Sequence, residues 1–428
     1  MAHGSAAFRP AEPERSHTRR IAAISALLLA ASAINYMDRQ TLANVAVRVS
    51  REFALDNEHY GRFEAWFGYA FAAGSLCFGV LADRVSVRWL YPTALAAWSA
   101  VGFATGFAAD FDQLLLCRGL LGFFEAAHWP CALKTTQALL STRGRALGNG
   151  ILQSGTSLGS ILTPLVIWWL ITRQGHSWRL AFQIVGLAGA VWIVAWIAAT
   201  RADDFRIRHV GDAARADGLV GLGRKALAVL VVVTIINTVW QILRAWIPKI
   251  LQEEHGYGET FTLWFTSGWF AVSDVGCIAS GLCAWWLAGR GWSVKWSRTV
   301  TFGLCCVPCL GLVAMPWLST GAMLLAVILL AGAGALGMFP IYYSFTQDIS
   351  RRHQGLVTGL ASCVAWVASA WFQKPFGRLA DETRSFSVGL AAVGAVTVVA
   401  VGAWMLVWPE DTPVVADPGE DDGAGSVA

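Results

Sequence analysis

The stretch LADRVSVRW at residues 81–89 returns in altered form as LAGRGWSVKW at residues 287–296. After one insertion the two copies share Leu-Ala, an arginine, Ser-Val, a basic residue and a tryptophan. Each copy follows a long apolar segment. This weak repeat predicts a chain made of two related halves, with the same kind of loop at the same place in each.

The composition is that of a membrane protein. Hydrophobic residues make up 56% of the 428 residues and charged residues 14%, with 22 Trp and 22 Phe. Soluble domains are about 45–50% apolar and about 25% charged. The net charge of +4 is small, so we do not expect a nucleic acid partner. The partner that this composition predicts is the lipid bilayer.

Apolar segments long enough to cross a bilayer recur along the whole chain. A transmembrane helix needs about 20 mainly apolar residues. We predict twelve spans, at residues 21–47, 60–82, 90–109, 113–138, 146–171, 179–200, 226–250, 261–287, 298–317, 321–346, 354–376 and 386–408. The predicted fold class is an all-α polytopic membrane protein with two pseudo-symmetric bundles of six transmembrane helices.

A polar segment divides the predicted bundles. Residues 201–225 form the longest internal connection, which we predict to be a cytoplasmic linker between an N-terminal bundle at 21–200 and a C-terminal bundle at 226–408. A polar cytoplasmic tail precedes them at 1–20. The acidic, proline- and glycine-containing tail at 409–428 is expected to be disordered and cytoplasmic.

Lysine and arginine are unevenly divided between the two sides of the predicted spans. With the N-terminus in the cytoplasm, the cytoplasmic segments hold 19 of these residues and the outer loops hold 7. Positive charge accumulates on the cytoplasmic side of membrane proteins, so we predict that both termini are cytoplasmic. There is no apparent cleavable signal peptide and no glycosylation sequon in a predicted outer loop. We expect a monomer in a bacterial inner membrane.

Charged residues interrupt the first span at INYMDRQTL, residues 34–42. A charge inside the bilayer costs several kcal/mol unless it is paired or reaches water. Tyr36 and Arg39 are three residues apart, as are Asn35 and Asp38, so the pair belongs to a wider polar face. Asp38 lies about 25 Å from the start of the span. The pair could therefore serve a central site or reach the outer surface.

The fourth span contains RGLLGFFEAAHWP at residues 118–130. Arg118 and Glu125 are seven residues apart, which places them on one helix face about 10 Å from each other. Arg118 could instead extend outward from the helix end. Glu125 lies near mid-span, and a carboxyl group there is a candidate proton carrier. His128 lies near the same face, with no decided role.

The second half offers further polar side chains inside predicted spans. Asn237, Trp240, Gln241 and Arg244 share one face of the seventh span and could contact a sugar or form an interhelical hydrogen-bond cluster. Asp274 in the eighth span could pair with Arg244 or titrate. Weaker candidates for lining a cavity are Gln153, Ser154, Thr156, Trp366 and Gln373.

The loop after the second span resembles a known family signature. GVLADRVSVRW at residues 79–89 resembles the G-x-x-x-D-R-x-G-x-R/K pattern of the major facilitator superfamily. Gly79, Asp83, Arg84 and Arg88 match, whereas Ser86 stands where glycine is usual. The resemblance implies a cytoplasmic latch that grips the other half. The alternative is an anchor that only sets the topology.

A narrower resemblance comes from three stretches taken together. NYMDRQTL, RGLLGFFEAAHWP and LRAWIPKILQEEHGY (243–257) resemble the anion:cation symporter branch, which includes bacterial hexuronate and galactonate proton symporters and vesicular glutamate and sialic acid transporters. The resemblance implies that Asp38 and Glu125 titrate during proton coupling and that Arg39 meets the substrate carboxylate. Arginine suits that task because its planar fork binds a carboxylate at two points.

The function expected from this resemblance is secondary active transport. We expect proton-coupled symport of an organic anion, a hexuronate or aldonate, by alternating access. The alternative is a carrier of another organic anion, a dicarboxylate or aromatic acid, that is sodium-coupled or facilitative. The predicted substrate-binding residues are Tyr36, Arg39, Arg118, Gln153, Thr156, Asn237, Trp240, Gln241, Arg244 and Trp366.

An enzyme, a cofactor and a metal site are not expected. The sequence has no H-E-x-x-H or G-x-x-x-x-G-K-S/T motif. Cys306 and Cys309 have C-x-x-C spacing but lie in an apolar run without histidine or acidic ligands nearby. Buried single thiols are the expected state of the cysteines.

Overall fold

A computed structural model describes residues 12–139, 142–201, 219–349 and 354–407. All of the regular secondary structure in these ranges is helical. The first half contains α1 (Glu12–Glu52), α2 (Asn57–Arg84), α3 (Val87–Thr105), α4 (Phe111–Glu125), α5 (His128–Leu139), α6 (Thr142–Ile167) and α7 (Trp178–Ala199). The second half contains α8 (Leu219–Glu253), α9 (Glu259–Gly289), α10 (Val294–Leu310), α11 (Ala322–Ile349), α12 (Gln354–Thr383) and α13 (Ser387–Val407).

Every predicted span coincides with helical structure, so the all-α prediction is confirmed. A π-helical turn, Trp168–Arg173, extends α6, and a 3₁₀ segment, Gly311–Trp317, extends α10. Eight of the described helices are long and apolar enough to cross a membrane. The segments 1–11, 202–218 and 408–428 lie outside the described residues, so most of the predicted tails and linker is not covered. The start of α8 at Leu219 falls within the predicted linker.

The fourth predicted span, 113–138, is divided in two. A turn at Ala126 and Ala127 separates α4 from α5. Pro130, four residues after Ala126, has no N–H to donate to the Ala126 carbonyl, and its ring crowds that carbonyl. The backbone instead makes a tighter bond at this point, from the Ala127 N–H to the Phe124 carbonyl at 3.2 Å. The expectation of one continuous helix is therefore wrong.

Aspartates and serines begin several of the helices. Asp56 accepts a hydrogen bond from the His59 N–H at 2.7 Å at the start of α2, and Asp110 accepts one from the Gln113 N–H at 2.8 Å at the start of α4. Ser293 does the same for Trp296 at 3.3 Å at the start of α10. These caps satisfy N–H groups that have no partner within the helix.

Small residues allow the helices to approach closely. In α6, a Cβ at Gly155 or Gly159 would overlap the backbone carbonyl of Leu29 or Ala33 in α1. The close packing of α6 against α1 therefore depends on these two glycines. Between the halves, a Cβ at Gly68 of α2 would lie 2.7 Å from the Ala370 Cβ of α12. The halves meet along α2 and α12, α6 and α9, and α1 and α8.

The polar contacts between the halves concentrate at one end of the bundles, here called the Glu52 side, where α1 ends and α2 begins. Arg48 of α1 forms an ion pair with Glu259 of α9 at 2.6 Å. Two hydrogen bonds and a second ion pair join α2 to the second half. Asn57 donates to Asp381 at 2.8 Å and accepts from Lys249 at 2.6 Å, and Glu58 forms an ion pair with Lys374 at 3.1 Å. The opposite end, where α2 ends, is called the Arg84 side.

Candidate functional site

Six charged side chains are buried in the middle of the molecule, five of them in the first half and one, Arg244, in the second. Each is at most 3% exposed, and the six are Asp38, Arg39, Glu64, Arg118, Glu125 and Arg244. Removing charges from water costs several kcal/mol per ion unless they pair well. A cluster of this size in a membrane-spanning bundle marks a site of function rather than of packing.

Arg39 and Glu125 form the first ion pair of the cluster. The Nη2 and Nε atoms of Arg39 donate to Oε2 of Glu125 at 3.0 and 3.2 Å. Asn35 supports both partners, since its Oδ1 accepts from Arg39 Nη2 at 3.3 Å and its Nδ2 donates to the Glu125 carbonyl at 3.4 Å. The pair therefore has a fixed orientation across α1 and α4.

Aromatic rings from both halves surround the Arg39 guanidinium. Its Cζ lies 4.9 to 5.3 Å from the ring centroids of Tyr36, Phe67, Phe71 and Trp366. Cations are attracted to the faces of such rings. Trp366 belongs to α12, so the predicted Tyr36, Arg39 and Trp366 do come together from the two halves.

The depth of Arg39 decides between a central site and the outer surface. The first helix continues to Glu52, beyond the predicted end of the span, so Arg39 lies about 20 Å from that end by helix rise. Its side chain is buried. Arg39 thus faces the interior, and the alternative of reaching the surface is wrong.

Asp38 points to another part of the first half. A Cβ on Gly102 of α3 would lie 2.7 Å from Asp38 Oδ1. Both carboxylate oxygens are buried without a hydrogen-bond partner among the described residues. Adjacent positions on a helix diverge by about 100°, and Asp38 and Arg39 accordingly do not share one polar face.

Glu64 of α2 is a member of the cluster that the sequence interpretation missed. Its Oε1 accepts from Arg118 Nη2 at 2.9 Å, and its Oε2 accepts from Arg244 Nη2 at 3.0 Å. Arg118 is buried and forms its ion pair with Glu64, so the alternative that it extends outward from the helix end is wrong. The signal was available, because Glu64 is a lone acidic residue in an apolar run, as Asp38 is.

A hydrogen-bond chain in the second half supports Arg244. Arg244 Nε donates to Gln241, and Gln241 Nε2 donates to Asn237 Oδ1 at 3.3 Å. Asn237 Nδ2 in turn donates to the Ala365 carbonyl and to Ser369 Oγ, both at 3.1 Å. In this conformation Asn237 and Gln241 therefore belong to an interhelical hydrogen-bond cluster, which is one of the two alternatives that the sequence leaves open.

Trp240 does not join this chain. Its ring stacks on Trp269 of α9, with centroids 5.2 Å apart and planes 15° from parallel. Its other ring contacts, with Phe270 and Phe339, also lie within the second half. The predicted common face of the seventh span is thus divided between two sets of neighbours.

Two of the undecided candidates have local partners. His128 Nδ1 lies 2.8 Å from the Tyr91 hydroxyl, and its Nε2 lies 3.1 Å from Ser32 Oγ. Gln373 Oε1 accepts from Trp246 Nε1 at 2.7 Å. Both side chains are buried and hydrogen-bonded within the protein.

Asp274 accepts a hydrogen bond from Ser157 Oγ at 2.7 Å, which joins α9 to α6. The alternative that it pairs with Arg244 is wrong for this conformation, because Arg244 binds Glu64. Near Ser157, Gln153 is exposed, and its Nε2 donates to Thr156 Oγ1 at 3.3 Å. Thr156 itself is buried.

The loop expected to act as a latch makes contacts within the first half. Asp83 forms an ion pair with Lys134 of α5 at 2.8 Å. The Arg88 guanidinium lies over the Trp89 ring at 5.4 Å, and Arg84 is in the last turn of α2. A grip on the second half by Asp83, Arg84 and Arg88 stays a prediction.

Comparison with known proteins gives this arrangement its family. The model of the Major Facilitator Superfamily matches residues 28–373. The chain belongs to the Major Facilitator Superfamily. It is accordingly a multi-pass membrane transporter and not an enzyme, and both resemblances drawn from the sequence are confirmed.

Three relatives of this superfamily member are named as transporters of sugar acids. The chain is 24% identical over 389 residues to a hexuronate transporter of Escherichia coli, with 85% of this chain and 88% of that protein covered. It is 24% identical over 404 residues to a D-galactonate transporter of Escherichia coli, with 87% and 92% covered. A probable galactarate/D-glucarate transporter of Escherichia coli is 24% identical over 428 residues, with 91% and 95% covered.

Solved structures agree with the superfamily fold. A bacterial homologue of the human lysosomal transporter Spinster, in an inward-facing and occupied conformation, has a TM-score of 0.73 at 18% identity, with 93% of this chain and 97% of that chain covered. A D-xylose-proton symporter also has a TM-score of 0.73, at 14% identity, with 91% and 98% covered. At these identities the likeness shows the fold alone.

Proposed function

We propose that this transporter is a proton-coupled symporter of a sugar acid, a hexuronate or aldonate, which works by alternating access. One observation carries the proposal. The Arg39–Glu125 ion pair of the first half is buried beside Trp366 of the second half, and Asp38, whose carboxylate has no hydrogen-bond partner among the described residues, directly precedes Arg39 on α1. The site thus combines a carboxylate-binding cation with two carboxyl groups that could carry protons.

The coupling follows from competition for Arg39. In this structure Glu125 uses the Nε and Nη2 donors that a substrate carboxylate would need. A protonated Glu125 binds a guanidinium more weakly, because the charge-assisted part of the hydrogen bond is lost. Proton binding therefore frees Arg39 for the substrate, and loss of the proton returns Glu125 to Arg39 and expels the substrate.

The rest of the cavity suits a sugar acid. The aromatic rings around Arg39 offer apolar surfaces for the carbon face of a sugar. The named relatives carry hexuronate, D-galactonate and, in one probable case, galactarate and D-glucarate. These anions share a carboxylate on a chain of hydroxyl-bearing carbons. We extend that chemical class, and no single member of it, to this chain.

We further propose that the transporter lies in a bacterial inner membrane with both termini in the cytoplasm, as the lysine and arginine distribution indicates. The Glu52 side is then the outer face. Its ion pairs and hydrogen bonds between the halves correspond to a closed outer gate. A monomer without cofactor satisfies this mechanism.

Uptake into proteoliposomes tests the proposal. Purified protein is reconstituted, and entry of radiolabelled D-glucuronate, D-galactonate and D-glucarate is followed with an inward proton gradient, with a sodium gradient or with neither. Accumulation that requires the proton gradient and collapses with a protonophore supports the proposal. Accumulation driven by sodium alone, or equilibration without any gradient, would replace proton symport by the alternative coupling modes.

A further inference from the structure

Glu64 lies between two arginines that come from different halves of the transporter. Arg118 of α4 donates to one of its carboxylate oxygens and Arg244 of α8 to the other. Both side chains of the Glu64–Arg244 pair are nearly inaccessible, at 0% and 2%. The inter-half ion pairs described on the Glu52 side, Arg48–Glu259 and Lys374–Glu58, are partly exposed. Compared with those two pairs, the Glu64–Arg244 pair is therefore an ion pair between the halves that is shielded from water.

The two arginines have more donors and more charge than Glu64 satisfies. Nε and Nη1 of Arg118 and Nη1 of Arg244 are buried without a hydrogen-bond partner among the described residues. Buried donors without partners and a buried cation without a counter-ion are both costly. Two guanidinium groups that share one carboxylate thus form an anion site that is only half filled.

We propose that Glu64 is a tethered anion that holds this site when the transporter is empty, and that the substrate anion bound at Arg39 supplies the missing negative charge beside the Arg118–Arg244 site during transport. Arg39 and Arg118 both lie against the ring of Phe67, at 5.3 and 4.6 Å, so the two sites are adjacent. The proposal rests on the proposed function, because it assigns a role within the same cavity. Glu64 is then a positioning residue. It keeps Arg118 and Arg244 together across the halves so that the empty transporter can return to its starting state.

The charge of Glu64, and not only its shape, is what this role requires. Without that charge the guanidinium groups of Arg118 and Arg244 repel each other across the interface. A bound anion relieves the repulsion, but an empty site does not. Loss of the charge should therefore slow the return of the empty transporter and leave the loaded transporter able to cross.

Two transport modes separate these steps in proteoliposomes, with radiolabelled D-glucuronate as the probe. Net uptake into empty vesicles requires the empty return, whereas exchange with D-glucuronate on both sides does not. For Glu64→Gln we expect net uptake to fall by about tenfold or more, while exchange stays within about twofold of wild type and the KM for exchange decreases. Glu64→Asp, which retains the charge, should recover much of the net uptake.

The matched control is Glu382→Gln, which makes the same substitution in an exposed i,i+4 ion pair with Arg378. It should leave both modes unchanged. Two results for Glu64→Gln would overturn the proposal. A parallel loss of net uptake and exchange would indicate a purely structural role for Glu64, and no loss of either would indicate that Glu64 has no role.

A second measurement does not depend on the choice of substrate. Hydrogen–deuterium exchange of the purified, substrate-free transporter reports opening on each side. In Glu64→Gln we expect faster exchange in the Glu52-side segments 53–60 and 249–259 and slower exchange near Arg84, because the repelling arginines open the halves on one side. A uniform increase in exchange, or no increase, would contradict this.

If the wild-type transporter takes up no sugar acid, the proposed function fails, while this measurement still decides the role of Glu64.

Discussion

Both hydrogen bonds from Arg39 to Glu125 end on one carboxylate oxygen, Oε2, at 3.0 and 3.2 Å. The other oxygen, Oε1, is buried without a partner among the described residues. A proton can therefore bind Oε1 while Oε2 stays beside Arg39. The neutral carboxyl group then holds the guanidinium less firmly, so a small chemical change loosens the pair without a large movement of either helix.

Glu125→Gln tests whether this proton drives accumulation. The amide keeps the size of the side chain and can accept from Arg39, but it carries no exchangeable charge. We expect proton-driven accumulation of D-glucuronate to be abolished and exchange to persist. Uptake and exchange are measured in the same proteoliposome preparation. Normal accumulation by this variant would remove Glu125 from the coupling mechanism.

Arg39→Lys tests the carboxylate clamp. Lysine keeps the positive charge, but its single ammonium group cannot present the two nitrogen donors that Arg39 directs at one point. We expect the KM for the sugar acid to rise by about tenfold or more, consistent with the loss of one charge-assisted hydrogen bond. Initial-rate kinetics at equal protein density provide the measurement, and a KM equal to that of wild type would show that Arg39 does not bind the substrate.

Gly102→Ala tests the environment of Asp38. The added Cβ would lie 2.7 Å from Asp38 Oδ1, closer than a carbon and an oxygen normally approach, so the carboxylate must move. We expect slower proton-driven uptake at an unchanged level of folded protein. The control is Gly268→Ala, because a Cβ at Gly268 of α9 meets nothing within 4 Å. Equal rates for the two variants would indicate that the position of Asp38 is unimportant.

Asp381→Asn tests the closed contacts on the Glu52 side. Asp381 of α12 accepts from the backbone N–H groups of Asn57 and Glu58 at 3.1 and 2.8 Å, and so caps α2 from the other half. Loss of this charge should reduce the stability of the closed form by about 1–3 kcal/mol. Hydrogen–deuterium exchange near Asn57 should increase, whereas the neighbouring variant Glu382→Gln should leave it unchanged.

The helices could be predicted because the length and apolarity of a segment are local properties of the sequence. Length and apolarity placed every predicted span on helical structure, and eight of the described helices are long and apolar enough to cross a membrane. The repeated loop indicated two halves. Pro130 in RGLLGFFEAAHWP is the sequence signal for the break between α4 and α5. The apolarity of residues 113–138 alone does not reveal this break, because both segments are apolar.

The pairings in the site could be predicted only in part. Helical spacing places Arg118 and Glu125 on one face, yet it cannot say which other helix brings a closer partner. Glu64 is that partner, and it was overlooked because it lies near the start of the predicted second span. Trp240 shows the same limit, since residues on one face of α8 meet different neighbours when the helix is enclosed on several sides.

The turn at Ala126 and Ala127 comes directly after Glu125, at the point where α4 gives way to α5. A continuous helix resists bending, because a bend must break backbone hydrogen bonds that were already formed. Here Pro130 has left that ladder incomplete. The span therefore consists of two helical segments whose positions are set by separate contacts. The ion pairs with Arg39 and Glu64 hold α4, whereas the contacts of His128 with Ser32 and Tyr91 hold α5.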